Sequence, residues 1–266
     1  MNTIKYAYLE ELFYGDGGEV NILCLTETKH KYDKVKIGDG LKCHTTMRDR
    51  NGKRGGGIQV IMPEMKSIKF DKVENKNTEI LELDGIIYGM ETKLVVVYFD
   101  VNKNEKGKKE NNKIRRDIEK IIEGNDKKGL IILGDFNGHL KKLDGREDDQ
   151  NGKMLEEWIE EYGLVMLNMD DRCYGKYTWS RGKSRTVIDY VMINDMMYEC
   201  FEKMEIDEER EWFEDSDHHL ISSFFKIEQG GVSKFHKKME GNRIHKYRRG
   251  STKGMERKNR RRMEGI

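Results

Sequence analysis

The chain is poor in the residues that staple, stiffen or anchor a protein. Its 266 residues include a single proline, Pro63, and four cysteines. Cys24, Cys43, Cys173 and Cys200 stand far apart, and no Cys-x-x-Cys pair occurs, which argues against a zinc site. A disulfide framework is not expected, because such frameworks serve domains too small to build a core. Reduced thiols of a cytosolic or nuclear protein are the plain reading. No apolar run follows the Met-Asn-Thr-Ile-Lys-Tyr start, and no stretch is apolar for long enough to cross a bilayer. Neither secretion nor a membrane partner is expected, and the expected compartment is nucleus or cytoplasm. There is no internal repeat.

Charge of one sign also looks absent, with a formal net of +1, but the total conceals an asymmetry. From Gln229 onward there are 13 Lys and Arg against 3 Glu, a net of +10, which leaves 37 basic and 46 acidic residues, a net of −9, on the first 228. An acidic body of residues 1–228 with a basic tail of residues 229–266 is the expected organisation. The tail is too polar to fold on its own core.

Within the body, apolar segments alternate between two periods. VNILCL (Val20 to Leu25), GIQVIM (Gly57 to Met62), TEILEL (Thr78 to Leu83), LVVVYF (Leu94 to Phe99), LIIL (Leu130 to Leu133), VIDYVMI (Val187 to Ile193) and LISSFF (Leu220 to Phe225) read as strands. Ile114, Ile118, Ile121 and Ile122 share one face of a helix ending near Gly124. Met154, Leu155, Trp158, Ile159 and Tyr162 form a second such face ending at Gly163, and Tyr6, Leu9, Leu12 and Phe13 suggest a third at the start. With proline nearly absent, loops are marked by Gly, Asn and Lys; Asn102 to Asn112 and Leu143 to Gly152 are expected to be loops. Strands separated by helices imply a layered α/β fold.

Polar residues gather where the apolar strands end. Glu27 follows ILCLT, Asp135 and Asn137 follow LIILG, and Asp217 and His218 precede LISSFF. Strand ends are where layered α/β folds build sites, although Asp and Asn also favour ordinary turns there. Asp189 is harder to assign to a turn, because it lies inside an apolar strand. A carboxylate buried there needs a partner, and an imidazole whose ring N–H it accepts is the natural one, with His218 the candidate.

These segments resemble the endonuclease/exonuclease/phosphatase superfamily. Gly134-Asp135-Phe136-Asn137 is similar to its GDFN motif, Glu27-Thr28-Lys29 to its ETK segment, Ile188-Asp189-Tyr190-Val191 to its IDYV strand and Ser216-Asp217-His218 to its SDH motif. All four stand in the family's order. Across residues 133–194 the wording (GDFNGHL, DGREDDQNGKMLEEW, YGLVMLN, YTWSRG, SRTVIDYVMIN) is similar to endonuclease domains of non-LTR, LINE-type retrotransposons and to craniofacial development protein 2-like proteins.

The resemblance implies a four-layered α/β sandwich of two packed mixed β-sheets flanked by helices. It also implies a divalent-metal-dependent phosphodiester hydrolase, a DNA endonuclease that nicks a strand and leaves a 3′-hydroxyl. Glu27 and Asp217 would ligate Mg²⁺ or Mn²⁺, which favour hard carboxylate oxygens. Asp135 would orient or deprotonate the attacking water, with Asn137 holding that water or a phosphate oxygen. His218 would contact the phosphate, backed by Asp189. Tyr98 would reach the phosphate from its strand end, and Arg185 and Thr186 would touch the DNA backbone.

The sequence departs from the family at two places. The family opens with a strand ending in Asn, and here that strand is expected to be missing ahead of Met1-Asn2-Thr3-Ile4. The family also follows its tyrosine with small residues and a proline, where this chain has Phe99-Asp100-Val101-Asn102. Two further readings keep the fold: a catalytically impaired relict that binds nucleic acid, and an enzyme acting on nucleotide, RNA or phospholipid. The tail, with KFHKK, KYRR and ERKNRRR, reads either as a phosphate-backbone contact or nuclear-localisation patch, or as a solvated linker.

Overall fold

A computed structural model of the chain describes residues 12–14, 20–28, 39–46, 57–101, 104–125, 127–211 and 213–227. The basic tail, Lys29 and most of the expected N-terminal helix lie outside the described residues. So does the place where the family's opening strand would fall.

The central layer is a six-stranded mixed sheet. Its strands are β4 (Ile68–Lys72), β5 (Ile80–Ile87), β6 (Met90–Tyr98), β7 (Gly129–Asp135), β12 (Asp189–Ile193) and β8 (Val165–Met166), adjacent in that order. β6 and β7 run parallel, while the other neighbours run antiparallel. A parallel pair needs a crossover, and α1 (Glu105–Glu123) supplies it. Leu94 to Tyr98 are buried throughout, as are Leu130 to Ile132. Both faces of these strands are therefore covered, which explains continuous apolar runs in place of alternation.

One face packs on helices. Val95, Val97 and Ile132 meet Ile114 and Ile118 of α1 and Met154, Leu155 and Trp158 of α3 (Gln150–Tyr162). Trp158 is fully buried, and its indole N–H donates to Glu119. The opposite face receives a smaller sheet of β1 (Leu23–Leu25), β3 (Ile58–Pro63) and β2 (Leu41–Thr46), whose central strand β3 contacts β5 and β6. Leu12 and Phe13 pack with Leu23 and Ile61 on this smaller sheet. β9 (Cys173–Tyr174), β13 (Phe201–Ile206) and β14 (Ile221–Phe225) form another three-stranded sheet, and β10 (Trp179–Arg181) and β11 (Ser184–Thr186) form a hairpin. Mixed sheets flanked by helices make this the α/β sandwich that the resemblance implies.

Two loop expectations require correction. Asn102 to Asn112 is not a loop, because α1 already begins at Glu105. The Asn104 side chain caps it by accepting from the Gly107 backbone N–H, so a polar run that resembles a loop is a helix start. Similarly, Leu143 to Gly152 contains the end of a short helix α2 (Lys141–Asp144) and the Asp149 cap of α3. The short helix α4 (Asp195–Cys200) follows β12 and is capped by Asn194.

Candidate active site

Three of the singled-out residues lie at one level of the central sheet. Tyr98 ends β6 beside Asp135 at the end of β7, and Asp135 faces Asp189 at the start of β12. Paired residues on neighbouring strands point to the same face, so the three side chains share one. This alignment depends on Gly134. A side chain there would meet the Val97 carbonyl oxygen at 2.0 Å, and its φ of 140° disfavours any residue but glycine.

Beyond β7 the chain turns sharply. Asp135 accepts from the Asn137 backbone N–H at 2.9 Å and from the Asn137 amide at 3.0 Å. The same amide donates to the Phe99 carbonyl at 2.8 Å. Asn137 is held at φ 45°, a left-handed conformation that Asn tolerates better than most residues. Phe99, one of the departures from the family's pattern, is fully buried and stacks on Phe136 at 5.3 Å. It thus fills core space and provides the carbonyl that fixes Asn137.

Asp189 and His218 form the expected pair. His218 Nδ1 lies 3.1 Å from both carboxylate oxygens of the half-buried Asp189. Burial alone would disfavour the charged ring, but the Asp189 hydrogen bond and the charges of Asp189, Asp135 and Asp217 outweigh it and lift the His218 pKa to about 9. Asp135 shows the complement. Burial, reinforced by the Asp189 charge, raises its pKa well above the carboxylate range, against the opposing effects of His218 and the Asn137 backbone N–H. One ligand atom from each of Asp135, Asp189 and His218 lies within 4.8 Å of the others, a grouping able to hold a metal ion.

Glu27 approaches from the smaller sheet. It sits two residues past β1 at φ 51°, and the Tyr98 hydroxyl donates to its Oε1. A non-glycine residue in that region is a strained conformation of the kind found at functional sites. Its charge is felt at Asp135. Asp217 is exposed beside His218.

The two residues expected on the DNA backbone diverge. Arg185 is exposed on β11, within a hairpin that also exposes Arg181 and Lys183. Thr186 is buried and turned inward, its hydroxyl donating to Asp144. Asp144 also accepts from the Val187 and Arg146 backbone N–H groups, and these bonds hold its carboxyl below the usual range despite burial.

Two further residues, Thr178 and Asp144, position the site. Thr178 is fully buried, and its hydroxyl accepts from the backbone N–H groups of Ile188 at 3.0 Å and Asp189 at 3.1 Å. Asp144 anchors the base of the hairpin. Thr178 stands in the YTWSRG run and was therefore visible in the resemblance. Asp144 opens the DGREDDQNGKMLEEW run, but its tie to the hairpin spans 42 and 43 residues.

A family model described as endonuclease-reverse transcriptase matches residues 92–222, from β6 into β14, and takes in Tyr98, Asp135, Asn137, Asp189, Asp217 and His218. This stretch of the chain matches the endonuclease/exonuclease/phosphatase superfamily. Nucleases of this superfamily use divalent metals. Solved structures share the fold. The endonuclease domain of TRAS1, a telomere-specific non-LTR retrotransposon, is 18% identical with a TM-score of 0.62, over 84% of this chain and 91% of that one. The 3′–5′ exonuclease NExo of Neisseria meningitidis is 17% identical with a TM-score of 0.60, over 84% and 95%. The AP endonuclease LMAP of Leishmania major is 14% identical with a TM-score of 0.65, over 84% and 82%. Comparison with curated proteins gives no match. Among the described residues, no helix is long and apolar enough to cross a membrane.

Proposed function

We propose that the chain is a divalent-metal-dependent DNA endonuclease of non-LTR retrotransposon origin, which nicks one strand and leaves a 3′-hydroxyl. The observation that carries this reading is the convergence of the Asp189–His218 pair with Asp135 and its bound Asn137 at neighbouring strand ends. The likeness to the TRAS1 endonuclease domain and the wording of residues 133–194 support the retrotransposon origin.

The donor set fits a hard divalent cation. Glu27 and Asp217 offer carboxylate oxygens, the ligand type that Mg²⁺ and Mn²⁺ favour, and Asp217 is exposed. The closer Asp135, Asp189 and His218 grouping is already committed to internal hydrogen bonds. The resemblance gives Glu27, whose Oε1 also accepts from the Tyr98 hydroxyl, and Asp217 as the residues that would hold the ion. When bound, it neutralises charge on the phosphate as a Lewis acid.

The remaining roles belong to the protein. Asp135 has a raised proton affinity, which suits it to take a proton from water as that water attacks phosphorus. The P–O3′ bond breaks opposite the attacking oxygen, and the departing 3′ oxygen takes a proton from solvent water to become the hydroxyl. Asn137 fixes the Asp135 carboxylate and directs the water. His218, charged at neutral pH and held by Asp189, donates to a phosphate oxygen and stabilises the transition-state charge. Tyr98 orients Glu27. Arg185 contacts the DNA backbone, while Thr186 serves from within by fixing the strand that presents it.

Supercoiled plasmid incubated with the purified chain and Mg²⁺ tests this reading. Open-circle product bearing a 3′ end that a polymerase extends is the expected result. Parallel incubations with RNA, free nucleotides and phospholipid separate the substrate classes. Cleavage of those in preference to DNA would overturn the assignment.

A further inference from the structure

His218 is flanked by a second histidine that turns the other way. His219 is buried, and its Nε2 lies 2.8 Å from the Ser180 hydroxyl oxygen. Ser180 is buried as well. Arg210 reaches the same serine from the loop after β13, donating through Nη2 to its carbonyl at 2.7 Å and to its hydroxyl oxygen. That loop is closed by the Arg210 backbone N–H donating to the Asp207 carbonyl at 3.2 Å. The His219 ring also meets the Tyr177 backbone, and Ser180 is its side-chain partner.

The cluster sits at a junction. The Ser180 backbone N–H donates to the Asp217 carbonyl at 2.9 Å, and the His219 N–H donates to the Thr178 carbonyl at 2.8 Å. Trp179 and His218 form an antiparallel bridge between these two bonds. The chain carrying Asp217 and His218 is therefore paired to β10 over three residues only. Such a short pairing is weakly determined by its ladder bonds alone. The Arg210–Ser180–His219 contacts clamp both of its edges from behind.

We propose that Arg210, Ser180 and His219 are positioning residues for the Asp217–His218 corner. The proposal rests on the metal-dependent hydrolase reading, in which Asp217 holds the ion and His218 meets the phosphate. Arg210 fixes β10 through Ser180, Ser180 fixes His219, and His219 sets the direction in which the adjoining pair faces. Partners that orient metal ligands from behind are worth about 10–100-fold in metal affinity or activity.

The test uses the full chain with Ser180→Ala, His219→Leu, His219→Gln and Arg210→Lys. Mn²⁺ binding is measured by calorimetry without DNA, and nicking of supercoiled plasmid is measured against Mg²⁺ and DNA concentration. Ser180→Ala and His219→Leu are expected to weaken Mn²⁺ binding and lower kcat by about 10-fold or more, with KM for DNA nearly unchanged. His219→Gln, whose amide can still meet Ser180, is expected to retain most of both. Arg210→Lys, which loses the fork but keeps the charge, should fall between and covers the case in which a buried variant fails to fold. Variants that keep the wild-type circular dichroism and match wild type in Mn²⁺ binding and kcat would overturn the proposal. So would equal losses in His219→Gln and His219→Leu. A wild type that binds Mn²⁺ without nicking, while the variants bind it more weakly, would overturn the hydrolase reading and leave the positioning role standing.

Discussion

Asp135 and Asp189 face each other across antiparallel strands β7 and β12, and His218 Nδ1 bonds the second of them at 3.1 Å. Two carboxylates side by side cannot both ionise without cost. The arrangement divides their roles. Asp189 accepts from the His218 ring, and Asp135 is left with the raised proton affinity.

The His218 ring should therefore titrate late. In the metal-free protein, its proton dissociation followed by NMR is expected at about 9, against an ordinary 6.5. The folded value lies above the unfolded one, so the pair's contribution to stability is complete below pH 6.5 and is lost as pH rises through about 9. Asp189→Asn should move the ring back toward its ordinary value and flatten this alkaline loss. A His218 titration unchanged in Asp189→Asn would contradict the pairing.

Thr178→Val should destabilise the protein out of proportion to its size. It leaves the buried N–H groups of Ile188 and Asp189 without their acceptor, a loss worth about 1–3 kcal/mol by urea unfolding. Thr178→Ser keeps the hydroxyl and should recover most of that loss. Equal stability of the Val and Ser variants would show that the hydroxyl bonds contribute nothing.

Acid should loosen the turn before β9. Hydrogen bonds from Arg172, reinforced by the Tyr198 hydroxyl, hold the Asp170 pKa at about 2 against its ordinary 3.8. A depressed carboxylate contributes stability above the ordinary value and loses it as pH falls through about 2. Thermal unfolding between pH 5 and 2 should show a smaller acid loss in Asp170→Asn than in wild type. Parallel curves for the two would contradict this.

On the hairpin, Arg185→Ala should weaken DNA binding and leave kcat nearly unchanged, because Arg185 is exposed and outside the catalytic cluster. Loss of one phosphate contact is expected to reduce the salt slope of binding by about 1. An unchanged slope would remove Arg185 from the interface.

Much of this was legible in the sequence for identifiable reasons. Strands β6 and β7 are apolar on both faces and announce themselves as unbroken runs. Asp189 was legible because a carboxylate inside such a strand demands a partner, and its partner stands in a recognisable motif. Other elements gave no such signal. β4 exposes Lys69, Asp71 and Lys72, its three charges, and β9 contains two residues only. The start of α1 was obscured because its first turns are polar and exposed, and helix packing begins only at Gly107 and Asn111. Thr186 is expected on the DNA backbone, but its inward turn is set by Asp144, a contact 42 residues away that no local pattern encodes. The Ser180–His219 contact spans 39 residues and was equally invisible.

The most direct test of the account is plasmid nicking by wild type and by Asp135→Ala and His218→Ala, with Mg²⁺ and with chelator. Wild type should convert supercoiled DNA to open circles only with the metal. Each variant should lose at least about 100-fold in rate, the range in which proton transfer and transition-state charge stabilisation contribute. Metal-dependent nicking at the wild-type rate by both folded variants would contradict the assignment of this site.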